Sequence, residues 1–219
     1  MAKLKVVALI SGRGSNLQAL LDECADPGFP AEIVKVISNV ADAPGLDRAR
    51  RAGVAAEIID HKAFPSREEF DAALGRSARA ADAELICLAG FMRRLSADFT
   101  EAWRGRVINI HPSLLPSFRG MHSHAQALAA GVKLHGCTVH FVTPDLDDGP
   151  IIVQAAVRVL DGDDEDSLAA RVLAAEHRIY PLALRLIAEG RTTIDGKRVL
   201  IAGASGTGSV LISPDGRTQ

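Results

Sequence analysis

An α/β architecture is expected for this chain: an open, mostly parallel twisted sheet with helices on both faces and an antiparallel C-terminal strand portion. Three observations carry that expectation. Short apolar runs rich in β-branched residues alternate with stretches of helical periodicity. The early runs are apolar on both sides, as strands must be when both faces of their sheet are covered. Two later runs, 137–142 and 151–159, are separated by only eight residues, too few for a crossover helix, so they are expected to be antiparallel.

Residues 5–10 (KVVALI) form the first strand and residues 11–16 a turn. Leu17, Leu20, Leu21 and Cys24 then fall at helical spacing. Residues 33–38 are the second strand, and residues 44–53 a short helix ending at a glycine cap. Residues 56–60 are the third strand. Residues 66–80 form a helix with Ser66 as N-cap and Glu69 at the capping-box position. The fourth strand is 85–89 (LICLA), a helix spans about 96–103, and 107–110 (VINI) is the fifth strand. After the two late strands a long helix is expected over roughly 166–188. Pro181 falls inside it and is expected to kink or split it, because proline lacks the helical N–H donor. Asp195 and Gly196 between apolar residues mark a hairpin over 192–201. The arrangement is Rossmann-like.

With 219 residues, 47% of them hydrophobic, the chain can bury one sizeable core. No repeat, linker or boundary interrupts it, so residues 1–203 read as a single domain and 204–219 as a Gly/Ser-rich tail expected to be poorly ordered. A net charge of −2 lacks the basic surplus of a nucleic-acid-binding surface, so any anionic ligand must be captured locally. Cys24, Cys87 and Cys137 are far apart, form no CxxC pair and are odd in number, which points to a reducing, cytoplasmic setting. The apolar stretch from Val6 to Ile10 is too short for a signal peptide or a membrane span.

Four loops can carry chemistry. In the first, Ser11, Gly12, Arg13, Gly14, Ser15 and Asn16 stand directly after a strand and before a helix. A helix N-terminus offers free N–H groups and a positive dipole end, which suits phosphate. A βα turn capped by Ser15 is the plain alternative, but it does not call for two glycines and Asn16. Leu17 replaces the third glycine of the dinucleotide fingerprint, and no Gly-Lys-Ser/Thr follows, so this is neither a dinucleotide nor a Walker loop.

In the second loop, Asn109 and His111 lie two apart at a strand exit, so both side chains project to one side, and Pro112 holds His111 extended. Asn can donate to a developing oxyanion and His can move a proton near neutral pH. In the third, Asp145, Asp147 and Asp148 crowd the connection between the two late strands. That is more carboxylate than a turn needs, and one can pair with His111, orienting it and raising its pKa. In the fourth, Gly90, Phe91, Met92, Arg93, Arg94 and Leu95 can line a pocket for a flat ring. Each loop follows the C-terminal end of a strand, the edge where open α/β sheets bind ligands, so the four are expected to converge. His122 and His124 with His111 suggest zinc at first sight, but a clear ligand set at helix or strand spacing is missing, so no metal is expected. His135 and His140 flank a strand and read as structural, and Glu176 with His177 as a solvated or capping pair.

These residues resemble the folate-dependent formyltransferases, from about Lys3 to Gly190. The strings that carry the resemblance run from Ile10 to Asn16, Leu88 to Arg93, Asn109 to Pro116 and His135 to Val142, with the aspartate loop ending at Gly149 and Pro150. The Asn-x-His-Pro-Ser-Leu-Leu-Pro string is specific to the superfamily. The glycine–serine–asparagine loop points to the members that formylate a phosphorylated glycinamide. The resemblance implies transfer of the formyl group of 10-formyltetrahydrofolate to the amine of 5-phosphoribosylglycinamide in de novo purine biosynthesis, directly, through a tetrahedral intermediate and without a metal. It implies that Asn109, His111 and Asp147 are catalytic. Gly14, Ser15 and Asn16 would bind the ribose phosphate, with Leu173 and Glu176 contacting the same acceptor. Arg67, Met92, Arg93, Arg94, Leu95, Asn109, Thr143, Pro144, Asp145, Leu146 and Asp147 would hold the folate. Asp148 and Arg94 depart from the family pattern, which more often has glycine and an apolar residue there. The partners implied are small-molecule substrates, with no nucleic acid and no membrane, in a monomer or homodimer. The rival reading, a nucleotide-binding oxidoreductase or binding module, is disfavoured by Leu17 and by Ser38-Asn39 where the second strand should end in an acidic residue.

Overall fold

The computed structural model describes residues 2–204 and residue 213. Apart from Ala204 and Ser213, the tail expected over 204–219 lies outside the described residues. In chain order the elements are β1 (Leu4–Ile10), α1 (Ser15–Cys24), β2 (Ala31–Ser38), α2 (Gly45–Arg51), β3 (Ala55–Ile58), α3 (Arg67–Ala80) and β4 (Leu85–Leu88). There follow α4 (Ala97–Ala102), β5 (Val107–His111), α5 (Ser123–Ala129), β6 (Leu134–Phe141), β7 (Ile151–Arg158), α6 (Glu165–Ala188), β8 (Thr192–Asp195) and β9 (Arg198–Ile201). A short 3₁₀ turn, His61–Ala63, precedes α3.

The strands form one sheet in the order β3-β2-β1-β4-β5-β6-β7-β9-β8. The first five are mutually parallel, β6 runs antiparallel to β5 and β7, and β8 and β9 pair as the expected hairpin. The central strand shows why both faces must be covered. Val6, Ala8 and Ile10 belong to one core with Leu17 and Leu20 of α1, Leu46 of α2 and Leu184 of α6. Val7 and Leu9, pointing the other way, belong to a second core with Phe70 and Leu74 of α3, Phe99 of α4 and Trp103. Each fully buried side chain of this size contributes about 1.5–3 kcal/mol.

Three features differ from the sequence reading. Helix α6 is not split at Pro181; it continues for 24 residues, because Tyr180, Pro181, Ala183 and Leu184 are buried together and packing outweighs one missing N–H. Helix α5, seven residues long, is absent from that reading. Helix α1 is capped not by the Ser15 side chain but by Gly14, in the left-handed region at φ 69°.

The chain leaves β1 to build β2 and β3 on one side, then crosses over to β4 and β5 on the other. The loops after β1 and β4 therefore flank the switch in strand order, where such sheets form a crevice. Among the described residues no helix is long and apolar enough to cross a membrane.

Candidate active site

The loops after β1 and β4 are joined by hydrogen bonds. The Ser11 N–H donates to the Gly90 carbonyl at 3.1 Å, and the Met92 N–H donates to Ser11 Oγ at 2.8 Å. Gly14 sits against Gly45, the first residue of α2; a Cβ on Gly14 would lie 2.8 Å from the Gly45 Cα. Positive φ and this close approach both require glycine. At the start of α1, Asn16 Nδ2 donates to Glu176 Oε2 of α6 at 2.7 Å, across 160 positions of sequence. Glu176 is buried, and burial pushes its carboxyl pKa up while the Asn16 hydrogen bond works the other way. The solvated or capping role read for Glu176 is thus corrected: α1 packs on α6 and seals it in. Leu173 lies one turn earlier on α6, half-buried. Arg48 of α2 adds a cation beside the loop, donating from Nε to the Arg13 carbonyl at 2.9 Å and from Nη1 to Gln18 Oε1 at 3.1 Å. With Ser15, Gln18, Asp22 and His177 it lines a hollow of about 360 Å³. Sequence reasoning missed Arg48, whose place depends on α2 folding back against α1.

The second group forms where β5 meets β6. His111 Nδ1 lies 3.4 Å from Asp147 Oδ2, with both side chains almost excluded from solvent. His111 Nε2 lies 3.1 Å from the Phe118 carbonyl. Nε2 has the Phe118 carbonyl as its hydrogen-bond partner, and Nδ1 forms an ion pair with Asp147 whenever the ring is charged. Asp147 (φ 50°) and Phe118 (φ 54°) each hold a left-handed backbone to reach His111. Such conformations cost a non-glycine residue on the order of 1–3 kcal/mol and cluster at functional sites. A further Asp147 contact fixes its loop, since Oδ2 also accepts the Gly120 N–H at 2.9 Å. Gly149 permits the tight return into β7; a Cβ there would fall 1.7 Å from the Phe141 carbonyl oxygen. Of the three crowded carboxylates, Asp147 alone turns to His111. Asp148 pairs with Arg119 and, at 3.0 Å, with Lys197, while Asp145 is exposed.

Asn109 and His111 project to the same cleft, as two-residue spacing on a strand requires. The cleft has a volume of about 550 Å³. Its walls are Gly90 to Leu95 on one side and Thr143 to Asp147 on the other, over Leu88 and Val142. Arg94 ties the walls together, donating from Nη2 to the Pro144 carbonyl at 3.0 Å. A mostly apolar slot with a few polar groups at its border suits a flat heterocycle. Arg67 is not among its lining residues; it begins α3 and pairs with Glu68 at 3.3 Å.

His140 is a second correction. It lies within β6 rather than beside a strand, and it enters the site. Its Nε2 lies 3.3 Å from Asn109 Nδ2 and 3.8 Å from Asp147 Oδ1. His135, also within β6, instead meets His124, with Nε2 and Nδ1 3.2 Å apart, and burial pushes the His135 pKa down to about 4.

Comparison with known proteins adds an independent finding. A family model described as formyl transferase matches residues 4–184. The phosphoribosylglycinamide formyltransferase of Escherichia coli is 47% identical over 203 residues, covering 90% of this chain and 96% of that protein. The trifunctional purine biosynthetic protein adenosine-3 of Drosophila pseudoobscura pseudoobscura is 56% identical over 188 residues, 85% of this chain. The chain spans only 14% of that relative's length. A crystal structure of glycinamide ribonucleotide transformylase 1 from Symbiobacterium toebii superposes with a TM-score of 0.89 at 54% identity, covering 91% of this chain and 94% of the other.

Proposed function

The chain belongs to the formyl transferase family, and on that premise we propose that it transfers the formyl group of 10-formyltetrahydrofolate to the amine of 5-phosphoribosylglycinamide, a cytoplasmic step of de novo purine biosynthesis. The observation that carries the reading is the meeting of Asn109, His111 and Asp147 at one end of an apolar cleft, although the carboxylate comes from a different loop.

In this reading the donor's ring system occupies the slot between Met92–Leu95 and Thr143–Asp147. The acceptor's phosphate lies at the Gly14–Asn16 helix start, where free N–H groups and the dipole favour an anion. Leu173 faces the same acceptor, and the buried Glu176 carboxylate holds Asn16 beside it. The amine nitrogen attacks the formyl carbon, and the carbonyl electron pair moves onto oxygen. Asn109 and the doubly protonated His111 ring donate to that oxygen, a contribution worth about 100- to 1,000-fold per donor in comparable acyl transfers. The Phe118 carbonyl oxygen, 3.1 Å from His111 Nε2, occupies the place of such an acceptor and yields it to the substrate oxygen. The Asp147 carboxylate balances the ring's charge and accepts the amine proton through water. That proton is delivered to the departing folate nitrogen as its bond to carbon breaks. General acid–base help of this kind is worth about 100- to 10,000-fold. The scheme calls for no metal and no covalent enzyme intermediate.

A spectrophotometric assay of folate release tests the proposal. Release that requires 5-phosphoribosylglycinamide and fails with unphosphorylated amines is the expected result. Release at the same rate with any amine, or none with the phosphorylated acceptor, would overturn it.

A further inference from the structure

We propose that His140 is the positioning residue for the Asn109 amide: its Nε2 accepts one amide N–H and so sets which end of the amide faces the cleft. The inference rests on the formyl-transfer reading of that cleft.

Asn109 and His140 are directly opposed partners in the antiparallel β5–β6 ladder, so their side chains leave the same face of the sheet. His140 is 2% exposed. Its Nδ1 lies 2.9 Å from the Phe141 carbonyl. A carbonyl only accepts, so Nδ1 carries the hydrogen, and in the neutral ring Nε2 is left as a lone pair. Burial pushes the His140 pKa down and so favours the neutral ring. The lone pair selects its neighbour: Asn109 must present Nδ2, as it does at 3.3 Å. One amide hydrogen is thereby fixed, and the second is left for the cleft that Asn109 lines. Without an acceptor at this place the amide can reverse. Its carbonyl would then face the cleft and repel a developing oxyanion instead of stabilising it. Asp147, at 3.8 Å from Nε2, and His111 are the titratable groups that face the ring. Protonating His140 would turn Nε2 into a donor aimed at Asp147 and release Asn109, so the positioning role belongs to the neutral ring.

The test compares the full-length protein with His140→Leu and His140→Gln; the glutamine Oε1 can reach the place of Nε2 and restore an acceptor. We expect His140→Leu to lower kcat about 10- to 100-fold, as small misplacements of a reacting group do, with KM for both substrates changed less than about threefold. His140→Gln should recover most of that loss. A nitrogen-15 spectrum of the wild-type ring should show the Nδ1-protonated neutral tautomer, a readout that needs neither variant to fold. An unchanged kcat in folded His140→Leu, a folded His140→Gln as impaired as the leucine variant, or an Nε2-protonated ring would each overturn the inference. Absence of formyl transfer in the wild type would instead overturn the reading on which it rests.

Discussion

His111 and Asp147 stand 3.4 Å apart, Nδ1 to Oδ2, although one ends a strand and the other lies in a loop 36 residues later (147 − 111). Replacing Asp147 by asparagine keeps the shape and removes the charge. The expected outcome is a fall in kcat of about 100- to 10,000-fold. The thermal unfolding midpoint should stay within a few degrees, since one charge in an already strained loop is exchanged for an isostere. Steady-state kinetics and a melting curve on the same preparation check both parts.

Asn109→Ala deletes an amide from the same cleft. If that amide donates to the oxyanion, kcat falls about 100- to 1,000-fold. KM for the folate should move far less, because the accessible surface of the slot is mainly apolar. A variant whose KM rises while kcat holds would place Asn109 in ground-state binding instead.

Glu176 makes stability depend on pH. Burial holds its carboxyl pKa above the usual range in the folded protein, so the fold binds its proton more tightly than the unfolded chain does. Its contribution is therefore fully present below the unfolded value, about 4.3, and is lost as pH rises through the raised folded value. Glu176→Gln keeps a partner for Asn16 and removes the titration. The two proteins should melt alike near pH 4, with the glutamine variant gaining steadily as pH rises. A difference independent of pH would contradict this assignment.

Tyr180 tests the link between the long helix and the strands beneath the site. Its hydroxyl is fully buried and reaches the carbonyls of Leu88 at 3.0 Å and Ile108 at 3.3 Å. Tyr180→Phe should cost about 0.5–1.5 kcal/mol, the net worth of an ordinary hydrogen bond. Urea unfolding, with an unchanged slope, measures it.

Local pattern made the parallel half of the sheet readable. Val6 to Ile10 are apolar on both sides because both sides are covered, and Ser66 and Glu69 mark the start of α3, where the Ser66 side chain does accept the Glu69 N–H. The meeting of Asn109 and His111 with Asp147 was readable as chemistry, through loops that all leave the same sheet edge. Contacts set by long-range geometry were not readable. His140 reaches Asn109 only through the β5–β6 register, and a one-residue slip would turn it to the opposite face. Glu176 looks like an ordinary helical acid until α1 packs over it. Arg48 gains its place from a two-helix contact that leaves no trace in local spacing.

The claim of direct transfer is tested most directly by following the formyl carbon itself. With the donor labelled by carbon-13 at that position, mixing it with the protein and 5-phosphoribosylglycinamide should move the label onto the acceptor's amine nitrogen, one equivalent for each folate released. Label recovered as free formate, or folate released without labelled acceptor, would contradict the account.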